Sequence, residues 1–338
     1  HNNLDGFYNT AVGDSAFFYN IDGGFNQVSG ADALKNNVHG NGNVAQGYGS
    51  LYSNISGHNN VGIGYHSLFR NSFQSDNVAI GDSSLFSNGF NATSVEAIYN
   101  TAIGSKALYS NTKGLANTSI GFNTLPHNVT GNWNTAIGMS ALFTNTTGSR
   151  NTGIGVGTLY FNTGGSNNIA IGNYALAFNS GSSNIVAIGD SSLYSNGAGA
   201  SPTQAIMNTA VGSKTLFSNT IGRFNTALGF HTLKDNVSGD YNTAIGKQAL
   251  ESNTTGYNNV ALGADALFIN TIGHGNIAVG RNALFFNTSG IKNIGIGSEA
   301  LSDNISGNAN VAIGDSSLYK NPASCNTATG GKSLLENV

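Results

Sequence analysis

The amino-acid sequence predicts an all-β fold, a parallel β-solenoid (β-roll) of about 19 coils with seventeen residues each. Three observations lead to this prediction: a Gly that recurs at a fixed spacing, Asn columns in phase with it, and a composition of 47 Gly but only 3 Pro in 338 residues. Hydrophobic residues make up 39% of the chain, too many for a disordered linker, and the Gly spacing is not that of collagen. We therefore expect a single β-solenoid repeat domain over residues 1–338.

The repeat is marked by the Gly of the phrase Asn-Thr-Ala-Ile-Gly. It occurs nineteen times, from Gly13 to Gly330, at a step of 17 residues, with two steps of 23 and a last step of 16. Numbered from its first Asn, the unit is N-[TVI]-A-[IV]-G-x-x-[AS]-L-[FY]-x-N-[TS]-x-G-x-x. Position 5 is always Gly, position 12 is always Asn, and position 9 is Leu in all copies but the first. Such self-similarity is typical of repeat architectures.

Two Gly and two Asn in each unit argue against a continuous helix, because both residues are unfavourable in helix interiors. Positions 1–4 and 8–11 are predicted to be two short strands, each closed by a turn at Gly or Asn. Identical coils can then stack about 4.8 Å apart, with parallel strands paired between neighbouring coils. We expect Ile at position 4 and Leu at position 9 to fill a thin core.

The Asn column at position 12 is expected to form an amide ladder. Stacked side-chain amides can donate and accept hydrogen bonds along the axis of the stack. The central members of this predicted ladder are Asn111, Asn128, Asn145, Asn162, Asn179 and Asn196.

Position 10 is most often aromatic and follows the Leu of position 9. Neighbouring residues of a strand point to opposite faces, so an inward Leu places the aromatic side chain outside. Because monomers rarely expose large apolar patches, this column is the predicted self-association surface of a homo-oligomer of parallel rods. The alternative is a monomer whose rings lie flat over adjacent turns. The column consists of Phe18, Tyr52, Phe69, Phe86, Tyr109, Phe143, Tyr160, Tyr194, Phe217, Phe268, Phe285 and Tyr319.

The two 23-residue steps contain related insertions, at Gly89–Tyr99 and Gly197–Met207. Each follows a Gly-Asp-Ser-Ser-Leu segment, so we expect both to bulge from the same corner, either as loop drift or as a contact site. Neither end of the sequence has the polar cap that is typical of solenoids. This favours a segment of a longer fibre, or subunits that join head to tail.

The sequence offers no support for several other functions. A net charge of -3 with 13 Lys and Arg argues against a nucleic-acid or anionic-membrane surface, and no run of 18 apolar residues could span a bilayer. The seven His never share a column in adjacent coils and lack metal-ligand spacing. We expect no enzyme activity, no catalytic residues, no cofactor and no metal site.

The unit resembles the Asn-Thr-Ala-Ile-Gly repeats of bacterial and phage fibre proteins, including tail fibres. It is also similar to the Ala-Ile-Gly repeats of trimeric autotransporter adhesin heads, most clearly at Asn100–Gly104, Asn134–Gly138 and Asn242–Gly246. The resemblance covers essentially the whole chain. It implies left-handed parallel β-rolls, often trimeric, that are displayed outside the cell or at its surface.

Three functions remain open at this point. The first is a structural subunit of an extracellular fibre or filament that binds mainly copies of itself, laterally or head to tail. The second is an adhesin or tail-fibre shaft that binds a host or surface glycan through the two insertions. The third is an ice-binding solenoid that uses Thr columns at positions 2 and 13, although Val44, Val61, Val78 and Ile169 interrupt the first of these columns.

Overall fold

A computed structural model of the chain describes residues 3–336. Within these residues the protein has 19 parallel strands of three residues each in about 19 solenoid turns, and no helix, which confirms the predicted fold class. The chain forms two compact units, His1–Asn167 and Asn168–Val338. That residues 1–338 form a single domain, and that the coil is left-handed, stay predictions.

Each coil contributes one strand to the unit in which it lies. The first unit contains β1 (Thr10–Val12), β2 (Gln27–Ser29), β3 (Val44–Gln46), β4 (Val61–Ile63), β5 (Val78–Ile80), β6 (Thr101–Ile103), β7 (Thr118–Ile120), β8 (Thr135–Ile137) and β9 (Thr152–Ile154). The second contains β10 (Ile169–Ile171), β11 (Val186–Ile188), β12 (Thr209–Val211), β13 (Thr226–Leu228), β14 (Thr243–Ile245), β15 (Val260–Leu262), β16 (Ile277–Val279), β17 (Ile294–Ile296), β18 (Val311–Ile313) and β19 (Thr327–Thr329).

Within a unit, each strand pairs in parallel with the strand of the next coil, in register. Ala136 of β8 lies opposite Gly153 of β9, one repeat further along the chain. The register continues across both long steps: Ile80 lies opposite Ile103, and Ile188 opposite Val211. The extra residues of the insertions are therefore accommodated outside the sheet.

Only one of the two predicted strands per coil forms. Positions 2–4 are the strand, whereas positions 8–11 lie in a run of turns. In the coil of β6, Lys106 at position 7 and Leu108 at position 9 have φ angles of 57° and 51°, in the left-handed region. A strand requires consecutive residues with extended backbone, so the prediction of a strand at positions 8–11 was wrong.

The Gly of position 5 ends each strand. Gly104 has a φ of 129°, a conformation that only Gly adopts without strain, and this explains why position 5 is never substituted. At position 15 the requirement is different. A Cβ on Gly114 would collide with the carbonyl oxygen of Gly131 in the next coil, so this Gly permits close approach of two backbones.

The core contains Leu at position 9 and small residues at position 3, not Ile at position 4. Leu108 and Ala102 of one coil are fully buried, whereas Ile103 is 37% exposed. Because strand residues alternate between two faces, a buried Ala at position 3 turns positions 2 and 4 outward. The prediction that position 4 fills the core was therefore wrong.

The six residues of the predicted amide ladder are fully buried. Asn128 Nδ2 donates to Asn111 Oδ1 at 2.9 Å, and Asn145 Nδ2 donates to Asn128 Oδ1 at the same distance. Asn162 continues the series, because its Nδ2 donates to Asn145 Oδ1 at 2.8 Å. In the second unit, Asn196 Nδ2 donates to Asn179 Oδ1 at 3.4 Å.

The position-12 amides also close their own corner. Asn128 Nδ2 donates to the carbonyl oxygen of Gly131 at 2.9 Å, which fixes the turn that follows. A second ladder runs at position 1. There Asn117 Oδ1 accepts two hydrogen bonds from Asn134, one from its backbone N–H at 2.9 Å and one from its side-chain Nδ2 at 3.1 Å. Within residues 3–336 no buried side-chain nitrogen or oxygen lacks a hydrogen-bond partner. The polar interior is therefore fully satisfied, as a stable buried network requires.

Candidate self-association surface

The outward residues of the strands form an uncharged surface on each unit. We call this surface, the first and third residues of each strand, the strand face. In Val260–Leu262 and Thr135–Ile137 the middle residue is buried, whereas the two flanking residues are half-buried. None of the strands β1–β19 has a charged residue at either outward position. From β10 to β18, every outward residue is Ile, Val, Leu or Thr.

The strand face is long as well as apolar. Leu228, Ile245 and Ile313 remain 46%, 40% and 43% exposed in the single chain. Nine paired strands at a spacing of about 4.8 Å extend this face over roughly 40 Å in the second unit. A contiguous apolar surface of this extent is uncommon on a monomer and marks an interaction site.

The sequence contained a signal for this surface that the prediction of an Ile core missed. Position 3 is Ala, Gly or Ser in nearly every copy, as at Ala102, Ser119 and Gly153. The interior is tight at this position, since a Cβ on Gly153 would lie 3.0 Å from Thr158 Oγ1 and 3.4 Å from the buried Leu142 side chain. Alternation then assigns position 4 to the outside.

The predicted aromatic column lies on another wall of the coils, and its rings stack on one another. Tyr52, Phe69, Phe86 and Tyr109 form one run, with ring centroids 5.0 to 5.3 Å apart and planes within 11° of parallel. Further stacked pairs are Phe143 with Tyr160 at 4.9 Å, Tyr194 with Phe217 at 5.0 Å, and Phe268 with Phe285 at 5.1 Å.

Stacking covers the ring faces, so the aromatic column presents mainly ring edges to its surroundings. All of its predicted members are half-buried except Phe18, which is 37% exposed. The alternative of a monomer whose rings lie flat over adjacent turns stays a prediction. Self-association through this column stays a prediction.

Several coils interrupt the aromatic column with a different residue at position 10. In the first unit these are Lys35 and Pro126, and in the second they include Lys234 and Glu251. The last two form a charged contact in place of a ring stack: Lys234 Nζ lies 3.5 Å from Glu251 Oε1, and His231 Nδ1 lies 3.4 Å from the same oxygen. The ring stacking is therefore broken into short runs.

Both insertions leave the coil after the Asn of position 12. Asn88 Nδ2 donates to the carbonyl oxygen of Ala97, and Asn196 Nδ2 to that of Ala205, each at 2.9 Å. Ordinary coils make the same bond three residues on, so the six extra residues lie inside this loop. In the first insertion the backbone N–H of Thr93 donates to Glu96 Oε2 at 2.8 Å, and this bond lowers the pKa of Glu96.

Within residues 3–336 no group of three or more His, Cys, Asp or Glu side chains is arranged to hold a metal ion. In the same range, none of the elements is a helix that could cross a membrane. The candidate interaction surfaces of each unit are therefore the strand face and the aromatic column.

Comparison with known proteins adds no family to this description: no protein-family model and no curated protein matches the chain.

Proposed function

We propose that the chain is a structural segment of an extracellular or cell-surface fibre and that it binds copies of itself through the strand face. The observation that supports this proposal is the unbroken series of outward Ile, Val, Leu and Thr residues on the paired strands β10 to β18. Interfaces between permanently associated copies are more apolar than ordinary protein surface and have few charges at their centre. The repeat resemblance adds the extracellular location and a trimer as the expected number of copies.

The physical argument is that covering this face with a second copy costs little conformational entropy and removes apolar area from water. β-Branched side chains have restricted χ1 rotamers, so they lose little entropy when a partner covers them. Burial stabilises an interface by about 25 cal/mol for each Å² of apolar area. The parallel register also repeats the same side-chain spacing in every coil, so one copy can match another along its length.

Charge substitution on the strand face is the direct test. We expect the wild-type chain to form oligomers, seen as a multiple of 34.7 kDa by light scattering and as rods or filaments by electron microscopy. In the double variant Ile245→Glu and Leu262→Glu, two outward carboxylates should prevent assembly, since an unpaired buried charge is costly. Circular dichroism should be unchanged, because neither side chain contributes to the core.

The matched control places the same charges outside the strand face. Ile272 and Ile305 are 55% and 59% exposed on the turns after the position-12 Asn, and their change to Glu should leave assembly intact. Phe217→Leu removes one ring from the aromatic column and distinguishes the two candidate surfaces. A wild-type chain that stays monomeric at high concentration would overturn the proposal, as would assembly lost in Phe217→Leu but retained in the strand-face variant.

The other two functions stay predictions. Ice binding would use the Thr columns at positions 2 and 13. The first of these lies on the strand face, where nine of the 19 first positions are Thr. Absence of thermal hysteresis in the purified protein would exclude this function. Glycan recognition through the insertions would be lost when both insertions are deleted.

A further inference from the structure

Two shallow cavities lie at one corner of the first unit, between position 7 and the aromatic column, and together they define a strip along that corner. We call it the corner groove. Its position-7 side is mainly polar, with residues such as Asp32, His66, Ser83, Lys106 and Asn123. Its other side is formed by stacked rings. The combination of polar side chains facing aromatic ones is typical of ligand sites and unlike the uniformly apolar strand face.

One of the two cavities lies where Pro126 replaces a ring of the aromatic column. Tyr109 stacks on Phe86 at 5.1 Å and Phe143 stacks on Tyr160 at 4.9 Å, but the coil between Tyr109 and Phe143 contributes only the buried Pro126. A cavity of about 440 Å³ opens at this break, within the range of small-molecule sites. The stack therefore has a gap one coil wide with a ring on each side.

The polar lining of this cavity includes several hydrogen-bond donors and contains no carboxylate. Lys106, Asn123 and Ser83 line it together with His127, whose ring meets Phe143 edge-on at 5.1 Å. Among the ion pairs formed by residues 3–336, none involves Lys106. An ammonium without a protein counter-ion, beside neutral amide and hydroxyl groups, complements a ligand that bears a carboxylate and many acceptor oxygens.

We propose that the cavity at Pro126 binds an acidic pyranose of a polysaccharide. The apolar C–H face of the sugar lies against Tyr109 and Phe143, where Pro126 leaves room for it. Its carboxylate is placed at Lys106, and its hydroxyl groups bond to Asn123 and Ser83. This inference is independent of self-association through the strand face, because the two surfaces lie on different walls of the coil.

A second cavity in the same groove favours a polymer over a single sugar. It measures about 320 Å³ and lies where Gly49 stands at position 7. Its lining consists of Tyr48, Tyr52, His66, Phe69 and Asp32, whose carboxylate is paired with Lys35 at 2.8 Å. Four coils separate it from the cavity at Pro126, or roughly 19 Å along the stack. An extended oligosaccharide could contact both cavities within this unit.

The test measures binding of tetragalacturonic acid by isothermal titration calorimetry, with its methyl ester and chitotetraose as matched ligands. We expect the acid to bind and the neutral ester to bind about tenfold more weakly, because the ester loses the charge-assisted bond to Lys106. Lys106→Gln should weaken binding of the acid by a similar factor and leave the affinity for the ester unchanged. Equal affinity for acid and ester would overturn the acidic-sugar assignment.

Pro126→Tyr provides the structural test, because Tyr or Phe occupies this column in most coils. The added ring should complete the stack between Tyr109 and Phe143, fill the cavity and abolish binding while the fold is retained. Ser302→Tyr makes a comparable change at position 10 of a coil in the second unit and should bind as the wild type does. Wild-type affinity in Pro126→Tyr, or no binding of the acid by the wild-type chain at millimolar concentration, would overturn the proposal.

Discussion

At the scale of single residues, the least expected feature is a buried leucine with left-handed backbone in coil after coil. All eighteen Leu of position 9, from Leu34 to Leu334, have φ angles between 47° and 55°, and all of them except Leu334 are buried. A non-glycine residue in this region costs of the order of 1 kcal/mol. The cost is tolerated because it turns the side chain into the coil, where removal from water is worth about 2 kcal/mol.

The buried amides offer the clearest stability prediction. In Asn128→Ala, the carbonyl oxygen of Gly131 and the side-chain oxygen of Asn111 each lose a donor, and Asn145 loses an acceptor. Leaving these buried groups unpaired should lower the free energy of unfolding by about 2–4 kcal/mol, measured by urea denaturation. Thr130→Ala, an exposed change in the same coil, should alter it by less than about 0.5 kcal/mol.

His66 predicts a pH dependence. The centroid of its ring lies 4.0 Å from that of Tyr65 and 4.5 Å from that of Phe69. This burial lowers the pKa of His66 below 6.5, and the negative charge of Asp82 opposes the shift. The folded state thus binds the proton less readily than the unfolded state does. Stability should be at its full value above pH 6.5 and decline as the pH falls from there through the lowered pKa.

His66→Asn tests this dependence, because Asn occupies position 7 in other coils and tolerates left-handed backbone. Urea midpoints measured from pH 8 to pH 5 should decline less in the variant than in the wild type. Identical slopes would show that His66 does not contribute to the decline.

The repeat made some of these residues predictable and left others hidden. The spacing of Gly13 to Gly330 was enough to predict stacked parallel coils, and the Asn of position 12 was correctly expected inside an amide ladder. The left-handed Leu was not predictable, because Leu has no intrinsic preference for this backbone and tertiary packing imposes it. The cavity at Pro126 was also hidden, since a single Pro in a variable column has no meaning until the neighbouring rings are placed.

At the scale of elements, each insertion is matched by a change in the coil before it. Position 15 is Gly in most coils because the next backbone passes too close for a Cβ, but it is Gln74 before the first insertion and Ser182 before the second. Gln74 Oε1 accepts the backbone N–H groups of Ser72 and Phe73 at 3.1 Å, and its Nε2 donates to the carbonyl oxygen of Thr93 within the insertion. Ser182 Oγ similarly donates to the carbonyl oxygen of Gln204 at 2.8 Å. Each side chain therefore fills space that the insertion opens.

This coupling predicts a non-additive double mutant. Deleting residues 91–96 and changing Ala97→Gly restores an ordinary corner, but the returning backbone should then clash with Gln74. We expect this deletion alone to lower the thermal midpoint, and addition of Gln74→Gly to restore most of the loss. The cycle is measured by thermal unfolding, with Gln74→Gly in the full-length chain as the fourth member. Additive effects would contradict the coupling.

At the scale of the whole molecule, the scarcity of charge sets the response to salt. Charged residues are only 9% of the chain, and the core is held by apolar burial and neutral amide bonds. Exposed ion pairs such as Arg281–Glu299 contribute little to stability and are screened by salt. We expect the thermal midpoint to change by less than about 2 °C between low salt and about 1 M NaCl. A larger change would mean that charge contributes more to stability than these exposed pairs suggest.

The in-register pairing of the coils has a consequence for how such a chain can change in evolution. Because each strand pairs with the residue one repeat further on, duplication or loss of one complete repeat within a run of ordinary coils preserves every pairing and every amide bond. Each such event would lengthen or shorten the unit that carries it by about 4.8 Å. Length can thus be adjusted by recombination between near-identical stretches of gene, while the chemistry of each coil stays the same.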